Sequence, residues 1–274
     1  MQRASVDGIT LEYEVQGSGE PVVFIHGSHV TDAFAPLMVE PTLKDFCLIR
    51  YRRRGFMGSS RHDGMLSIPG QAADCVGLLG HLGVDSAHIV GHSYGGCIAL
   101  QLAVDAQAAV RSLSLLEPPL FDVPSGEQAG EAMARIAAIY ETGDKTGAVD
   151  AFMQAVCGKH YRTPLDATMP GGYAQAVADA DTFWRVELPV HQEWTFTADD
   201  AARITQPVLA VLGADSDTAS DWPIFGEGHR MLREWFPRRS RSSSPAPRTS
   251  CKWRTPTTWR SHSQTSSRVT ERTP

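Results

Sequence analysis

Ala87-His88-Ile89-Val90-Gly91-His92-Ser93-Tyr94-Gly95-Gly96-Cys97-Ile98-Ala99-Leu100-Gln101-Leu102-Ala103 sets a short apolar run, a glycine-flanked serine and a helix-forming run in direct succession. The run before the serine is of strand length, and the run after it continues as a helix. A serine at a sharp strand-to-helix turn has strained backbone angles and crowded neighbours. Small residues two before and two after it leave its hydroxyl exposed at the helix N-terminus. Gly91 and Gly95 occupy those two places, which makes Ser93 the candidate nucleophile.

Upstream, Pro21-Val22-Val23-Phe24-Ile25 reads as a fully buried strand running into the turn His26-Gly27-Ser28-His29. A backbone N–H in such a turn can face a developing oxyanion. Phe46-Cys47-Leu48-Ile49-Arg50-Tyr51 is another short apolar strand, followed by the loop Arg54-Gly55-Phe56-Met57-Gly58-Ser59. Downstream of the serine, Leu113-Ser114-Leu115-Leu116-Glu117-Pro118-Pro119 ends a further strand. Together these pieces resemble the α/β-hydrolase superfamily over residues 8 to 237. The resemblance implies an α/β fold, a mostly parallel doubly wound sheet of that type with a helical cap insertion. By position it makes Ser93 the nucleophile and the backbone N–H groups of Ser28 and Tyr94 the oxyanion hole. It implies no cofactor and no metal, and serine at the turn disfavours the branches that attack through an aspartate.

Short apolar runs alternate with helical patterns up to Leu116, the rhythm of a parallel sheet. From Phe121 to Asp200 the pattern turns helical. Ala129, Met133, Ile136, Ala137 and Tyr140 recur at three- and four-residue spacing, and Val149, Phe152, Met153 and Val156 extend the stripe. The expected division is therefore a first part of the core at 1–120, a helical cap at 121–200 and a last strand–helix unit at 201–237. Gln206 to Gly213 supplies that strand and Phe225 to Trp235 that helix. Phe183, Trp184, Trp194 and Phe196 are candidates either to line a substrate pocket or to pack cap against core.

A serine nucleophile needs a base and an acid that orients the base. Two loops offer an acid. Glu117 ends one strand at its carboxyl edge, where burial of a carboxylate beside Pro118 calls for a reason. Beyond Gly213 the position many relatives use for the acid is Ser216, flanked by Asp215 and Asp217. Glu117 and Asp217 both stand as candidates.

No histidine is assigned as the base. His26, His29 and His92 lie at the oxyanion turn or the serine turn, His191 in the cap, His229 in the last helix and His262 in the tail. The resemblance puts the base after a final strand, and none of these follows one. His26 reads as a structural hydrogen-bonding residue. Residues 238–274 instead carry nine basic residues, one acid and sixteen Ser or Thr, with Val269 the single aliphatic residue beyond alanine. The tail's net charge is +8 against −14 for residues 1–237, too abrupt a change for one globular fold. Read one base out of register, Arg238 to Arg248 can spell AAEAFVVPGAT and Thr249 to Thr270 can spell HLLQVEDADDVAESLADFFARH, followed by a stop. Strand, turn, histidine and amphipathic helix then come in the order the resemblance requires. The expectation is that the coding frame slipped near Pro237, removing the base and leaving the activity impaired; codons unable to spell that reading would refute it. As written, the tail has too few apolar side chains to offset the cost of ordering it and is expected to be disordered.

The remaining features bound the function. A chain of 274 residues, 42% hydrophobic, can bury a sizeable core. No apolar stretch reaches the roughly 18 residues that span a bilayer, and Met1 to Asp7 lacks a signal-peptide apolar core, which reads as a cytoplasmic protein. Five cysteines without a closely spaced pair suggest neither a disulfide framework nor a zinc site. Two function classes follow. The first is a hydrolase of ester-like or related carbonyl compounds, with a small-molecule substrate. The second is a non-catalytic hydrolase-like protein whose basic tail contacts nucleic acid or another anionic partner.

Overall fold

The computed structural model describes residues 1–61, 66–214, 216 and 222–237. Asp215, the candidate acid Asp217 and the tail from Arg238 onward, with its expected disorder and frame slip, lie outside them. Seven strands form one sheet: β1 (Gln2–Val6), β2 (Ile9–Gln16), β3 (Glu20–Ile25), β4 (Phe46–Arg52), β5 (Ala87–His92), β6 (Val110–Leu116) and β7 (Val208–Val211). Their order is β1-β2-β4-β3-β5-β6-β7. The pairings from β4 through β7 are parallel, and β1 and β2 add an antiparallel hairpin at one side. Asp7 and Gly8 both have positive φ, 46° and 83°, as a two-residue hairpin turn matched to strand twist requires.

Helices α1 (Ala35–Met38), α2 (Ile68–His81) and α3 (Tyr94–Asp105) fall between the strands. Ser67 starts α2 by accepting the Gly70 N–H at 3.0 Å, the usual way a serine satisfies an orphan donor. α3 is buried along almost its whole length, from Tyr94 to Val104. With β3 and β5 it forms the main core, where Val23, Ile25, Ile89, Ile98, Leu100 and Leu102 are all closed to solvent. Strands buried on both faces read as continuous apolar runs, which is why β3 was visible in the sequence.

Between β6 and β7 the chain is helical: α4 (Gly126–Glu141), α5 (Lys145–Cys157), α6 (Arg162–Thr168), α7 (Gly172–Ala178), a wide turn with π-type bonding at Thr182–Glu187, α8 (Leu188–Glu193) and α9 (Ala198–Arg203). Ala129, Met133, Ile136 and Tyr140 of α4 and Val149, Phe152 and Met153 of α5 are buried in a second cluster, separate from the sheet core. α10 (Ile224–Trp235) follows β7. Trp194 and Phe196 belong to the sheet core: the Trp194 Nε1–H donates to Gln101 Oε1 of α3 at 2.8 Å, and Phe196 packs on Trp235. Phe183 and Trp184 lie in the second cluster, against the His29 ring. The four aromatics thus divide into two pairs with different neighbours.

Candidate active site

Ser93 joins β5 to α3 with φ 53° and ψ −127°. A non-glycine residue in that region costs on the order of 1–3 kcal/mol and persists only where its surroundings dictate it. Here they do: the Ser93 N–H donates to the Leu116 carbonyl of β6 at 2.9 Å, and the Ser93 carbonyl accepts the Gly96 N–H at 2.7 Å. A Cβ on Gly95 would stand 2.2 Å from the Ile25 carbonyl oxygen and 2.5 Å from that of His26. Only glycine lets α3 approach β3 this closely.

The turn after β3 meets the serine. A Cβ on Gly27 would be 3.0 Å from Ser93 Cβ, so the Gly27–Ser28 backbone borders Ser93. Tyr94 is the first residue of α3; an N–H there has no intrahelical acceptor and sits at the positive end of the helix dipole. Ser93, Ser28 and Tyr94, proposed from sequence as one site, are therefore neighbours in space.

Around that turn lies a buried polar network that sequence reading missed. Arg53, 1% exposed, donates from Nε to the His26 carbonyl and from Nη2 to the Gly27 carbonyl, each at 3.0 Å. Its Nη1 donates to Gln71 Oε1 and to Glu187 Oε1. Glu187, also 1% exposed, accepts the Ser28 hydroxyl on Oε2 at 2.7 Å, and Gln71 Nε2 donates to the Tyr94 hydroxyl at 3.2 Å. The sequence holds one usable signal, three consecutive arginines at 52 to 54. It does not tell which of them turns inward.

Glu117 closes β6 in a left-handed conformation, φ 50°, and is 4% exposed. Its Oε1 accepts the Gly213 N–H at 2.7 Å and the Ser216 hydroxyl at 2.5 Å. The carboxylate thus ties the β6 end to the loop after β7, beside the Leu116 carbonyl that anchors Ser93. Asp217, the other candidate acid, lies outside the described residues.

Three buried histidines, His26, His29 and His191, meet groups other than Ser93. His26 accepts the Arg53 N–H on Nε2 at 3.0 Å and meets the Gly27 carbonyl with Nδ1 at 2.7 Å. That pair of partners fixes the neutral tautomer with the proton on Nδ1. Burial first, then the Arg53 guanidinium, holds His26 well below the ordinary imidazole value. His29 sits among Phe152, Phe183 and Trp184, and burial brings it down to about 3. His191 of α8 lies by the Pro119 carbonyl at 3.0 Å and Cys97 Sγ at 3.6 Å, and burial lowers it to about 4.

Three rings kept neutral make the fold sensitive to acid. In the unfolded chain each takes up a proton near pH 6.5, while the folded chain resists protonation down to its lower value. Stability is therefore complete above about pH 6.5 and falls as pH drops below it, by up to about 1.4 kcal/mol per pH unit for each ring. The melting temperature should decline between pH 7 and 5, above the range in which ordinary carboxylates titrate. A flat profile over that interval would contradict the burial of these histidines.

Among the described residues no group of His, Cys, Asp and Glu is arranged to hold a metal ion, and no helix is long and apolar enough to cross a membrane. Cys75 and Cys97 are free thiols packed in the core.

Comparison with known proteins places this geometry. A model described as "Alpha/beta hydrolase family" matches residues 22–258. The chain is similar to the dihydrolipoyllysine-residue acetyltransferase component of the acetoin cleaving system of Cupriavidus necator, 34% identical over 118 residues. That stretch is 43% of this chain but 32% of the relative, so the chain spans about a third of that protein's length. Among solved structures, a thermophilic esterase from Thermogutta terrifontis superposes with a TM-score of 0.71 at 21% identity, covering 88% of each chain. An enol-lactonase from Burkholderia xenovorans LB400 superposes with a TM-score of 0.68 at 19% identity, covering 88% of this chain and 89% of the other. At these identities the two structures share the fold.

Proposed function

The chain belongs to the alpha/beta hydrolase family, and on that footing we propose that it is a serine hydrolase of small ester-like carbonyl substrates, impaired as written by the lack of its base. The observation that carries the reading is Ser93, held in a strained turn at the head of α3 with the Gly27–Ser28 backbone alongside. In the complete reaction Ser93 Oγ bonds to the substrate carbonyl carbon while a histidine takes its proton. The carbonyl oxygen becomes the oxyanion held by the Ser28 and Tyr94 N–H groups, and the leaving group departs with the proton. Water then releases the acyl group by the same steps. Glu117 or Asp217 orients the histidine.

The impairment is supported by the histidines. His26 is engaged by Arg53 and Gly27, His191 lies against the Pro119 carbonyl, and His29 is enclosed by Phe152, Phe183 and Trp184. With nucleophile and oxyanion donors but no base, a residual acceleration of roughly 10³ to 10⁴ over water is expected, near background in an ordinary assay. The esterase and enol-lactonase that share the fold make simple esters and lactones the first probes to try. The experiment is to treat the full chain with a fluorophosphonate and map the adduct by mass spectrometry, next to a version restored to the other reading frame after Pro237. Labelling at Ser93 is expected to be slow in the chain as written, where only residual reactivity survives without a base, and fast in the restored chain, which alone turns over esters. Labelling of other residues but not Ser93 would end the nucleophile assignment, and brisk turnover by the chain as written would end the impairment.

A further inference from the structure

We propose that Arg53 and Glu187 are positioning residues for the oxyanion hole, Arg53 aiming the Gly27–Ser28 peptide at the reacting carbonyl and Glu187 making that aim depend on the seating of the helical segment above it. The proposal rests on the Ser93 reading and goes beyond it.

The argument starts from one peptide bond. A trans peptide holds its C=O and N–H on opposite sides of a rigid plane, so whatever fixes the Gly27 carbonyl also fixes the direction of the Ser28 N–H. Two donors fix that carbonyl: Arg53 Nη2 at 3.0 Å and His26 Nδ1 at 2.7 Å. Arg53 Nε pins the preceding carbonyl, that of His26, at 3.0 Å. A guanidinium fork donating to two successive carbonyls leaves the Gly27–Ser28 plane little freedom to rotate. A cation on the carbonyl also polarises the amide, making its N–H a stronger donor.

Arg53 reaches the second donor residue too. Gln71 accepts from Arg53 and donates to the Tyr94 hydroxyl at 3.2 Å, and the Arg53 guanidinium lies 5.1 Å from the centre of the Tyr94 ring. One buried cation is thus linked to both residues whose amides would hold the oxyanion.

A guanidinium that is 1% exposed needs a counter-charge, because an unpaired buried ion is strongly destabilising. Glu187 supplies it from the Thr182–Glu187 turn, 134 positions along the chain. Its other oxygen accepts the Ser28 hydroxyl at 2.7 Å, so Ser28 is held from its side chain as well as through the preceding carbonyl. Turns with π-type bonding recur at functional sites, and this one delivers the carboxylate. Displacing the turn would leave Arg53 unpaired and release Ser28 together.

A purely structural ion pair makes a different prediction. Replacing a buried pair by apolar or neutral groups of similar shape is often neutral or stabilising, whereas removing one partner is costly. The full chain should therefore be compared with the single variants Arg53→Met and Glu187→Gln and with the double variant. Melting and the saturation kinetics of Ser93 labelling by a fluorophosphonate separate binding of the probe from the covalent step. In the double variant we expect a melting temperature within a few degrees of the parent, unchanged probe binding and a covalent rate slowed about 10- to 100-fold. That is somewhat less than the 10²- to 10³-fold that follows outright removal of an oxyanion donor. Arg53→Lys should not restore the rate, because an ammonium with three donors on a flexible stem cannot serve both carbonyls, Gln71 and Glu187 together, nor hold the carbonyls in the fixed geometry of a planar fork. A double variant that melts like the parent and labels within twofold of its rate overturns the positioning role while leaving Ser93 in place. A double variant that fails to melt cooperatively overturns it as well, since the pair is then a structural one. A frame-restored chain that does not label at Ser93 overturns the nucleophile reading, and this proposal with it.

Discussion

Exchanging Ser93 for alanine in the frame-restored chain is expected to lower ester turnover by about 10⁶-fold, the loss seen when the nucleophile of a serine triad is removed. A methyl group cannot form the acyl intermediate, and what survives is binding and oxyanion stabilisation. The backbone should tolerate the change poorly but not fatally: alanine must still adopt φ 53°, which serine already does at a cost. Folding can be checked separately by melting, and the same substitution should erase the fluorophosphonate adduct of the restored chain. Turnover within tenfold of the parent would remove Ser93 from the mechanism.

The largest effect on stability is expected at Gly95. A Cβ there would penetrate two backbone carbonyls at the end of β3, 2.2 Å from Ile25 oxygen and 2.5 Å from His26 oxygen. Neither can yield easily. Ile25 pairs in register with Gly91 of β5 and is fully buried, and the His26 carbonyl is held by Arg53. Overpacking that side chains can absorb costs about 1–3 kcal/mol, and here the obstruction is main chain, so Gly95→Ala should exceed that and approach the whole stability of a domain, about 5–15 kcal/mol. Insoluble protein or loss of a cooperative melt is the expected result. Gly80→Ala is the control: it lies in α2, with open space where the Cβ would go. It should raise stability by about 0.5–1 kcal/mol through helix propensity. Equal tolerance of both substitutions would mean that the close approach of α3 to β3 is not real.

What could be read beforehand follows the range of the interactions. The strand–serine–helix succession at 87 to 103 needs only local sequence, and the structure places β5, Ser93 and α3 there. The apolar run of β3 was legible because both its faces are covered. The hairpin of β1 and β2 was passed over, although Asp7-Gly8 between two alternating runs is a strong local signal. Arg53 was not legible. Arg50 and Arg52 lie on β4 and pair with Glu14 and Glu12 of the neighbouring β2 and with Asp32. Arg53, one residue past the strand end, is free of the alternation and turns into the core. Its partner Glu187 lies in a helical segment where an acidic residue normally faces water. Glu117 could be singled out for ending a strand, but its donors, Gly213 and Ser216, come together with it only in three dimensions.

The buried pair also bears on how hydrolases of this architecture can be recombined. Exchanging the helical segment between relatives is an obvious route to new substrate preferences, with residues 121–200 as the natural cassette. In this chain the cassette would carry away Glu187 and leave Arg53, Gln71 and Ser28 behind on the scaffold. A donor segment without a carboxylate at the matching place would bring a chimera with an orphaned cation beneath the turn that borders Ser93. The practical unit of exchange is therefore discontinuous: the segment and the residue at position 53 have to be transplanted together.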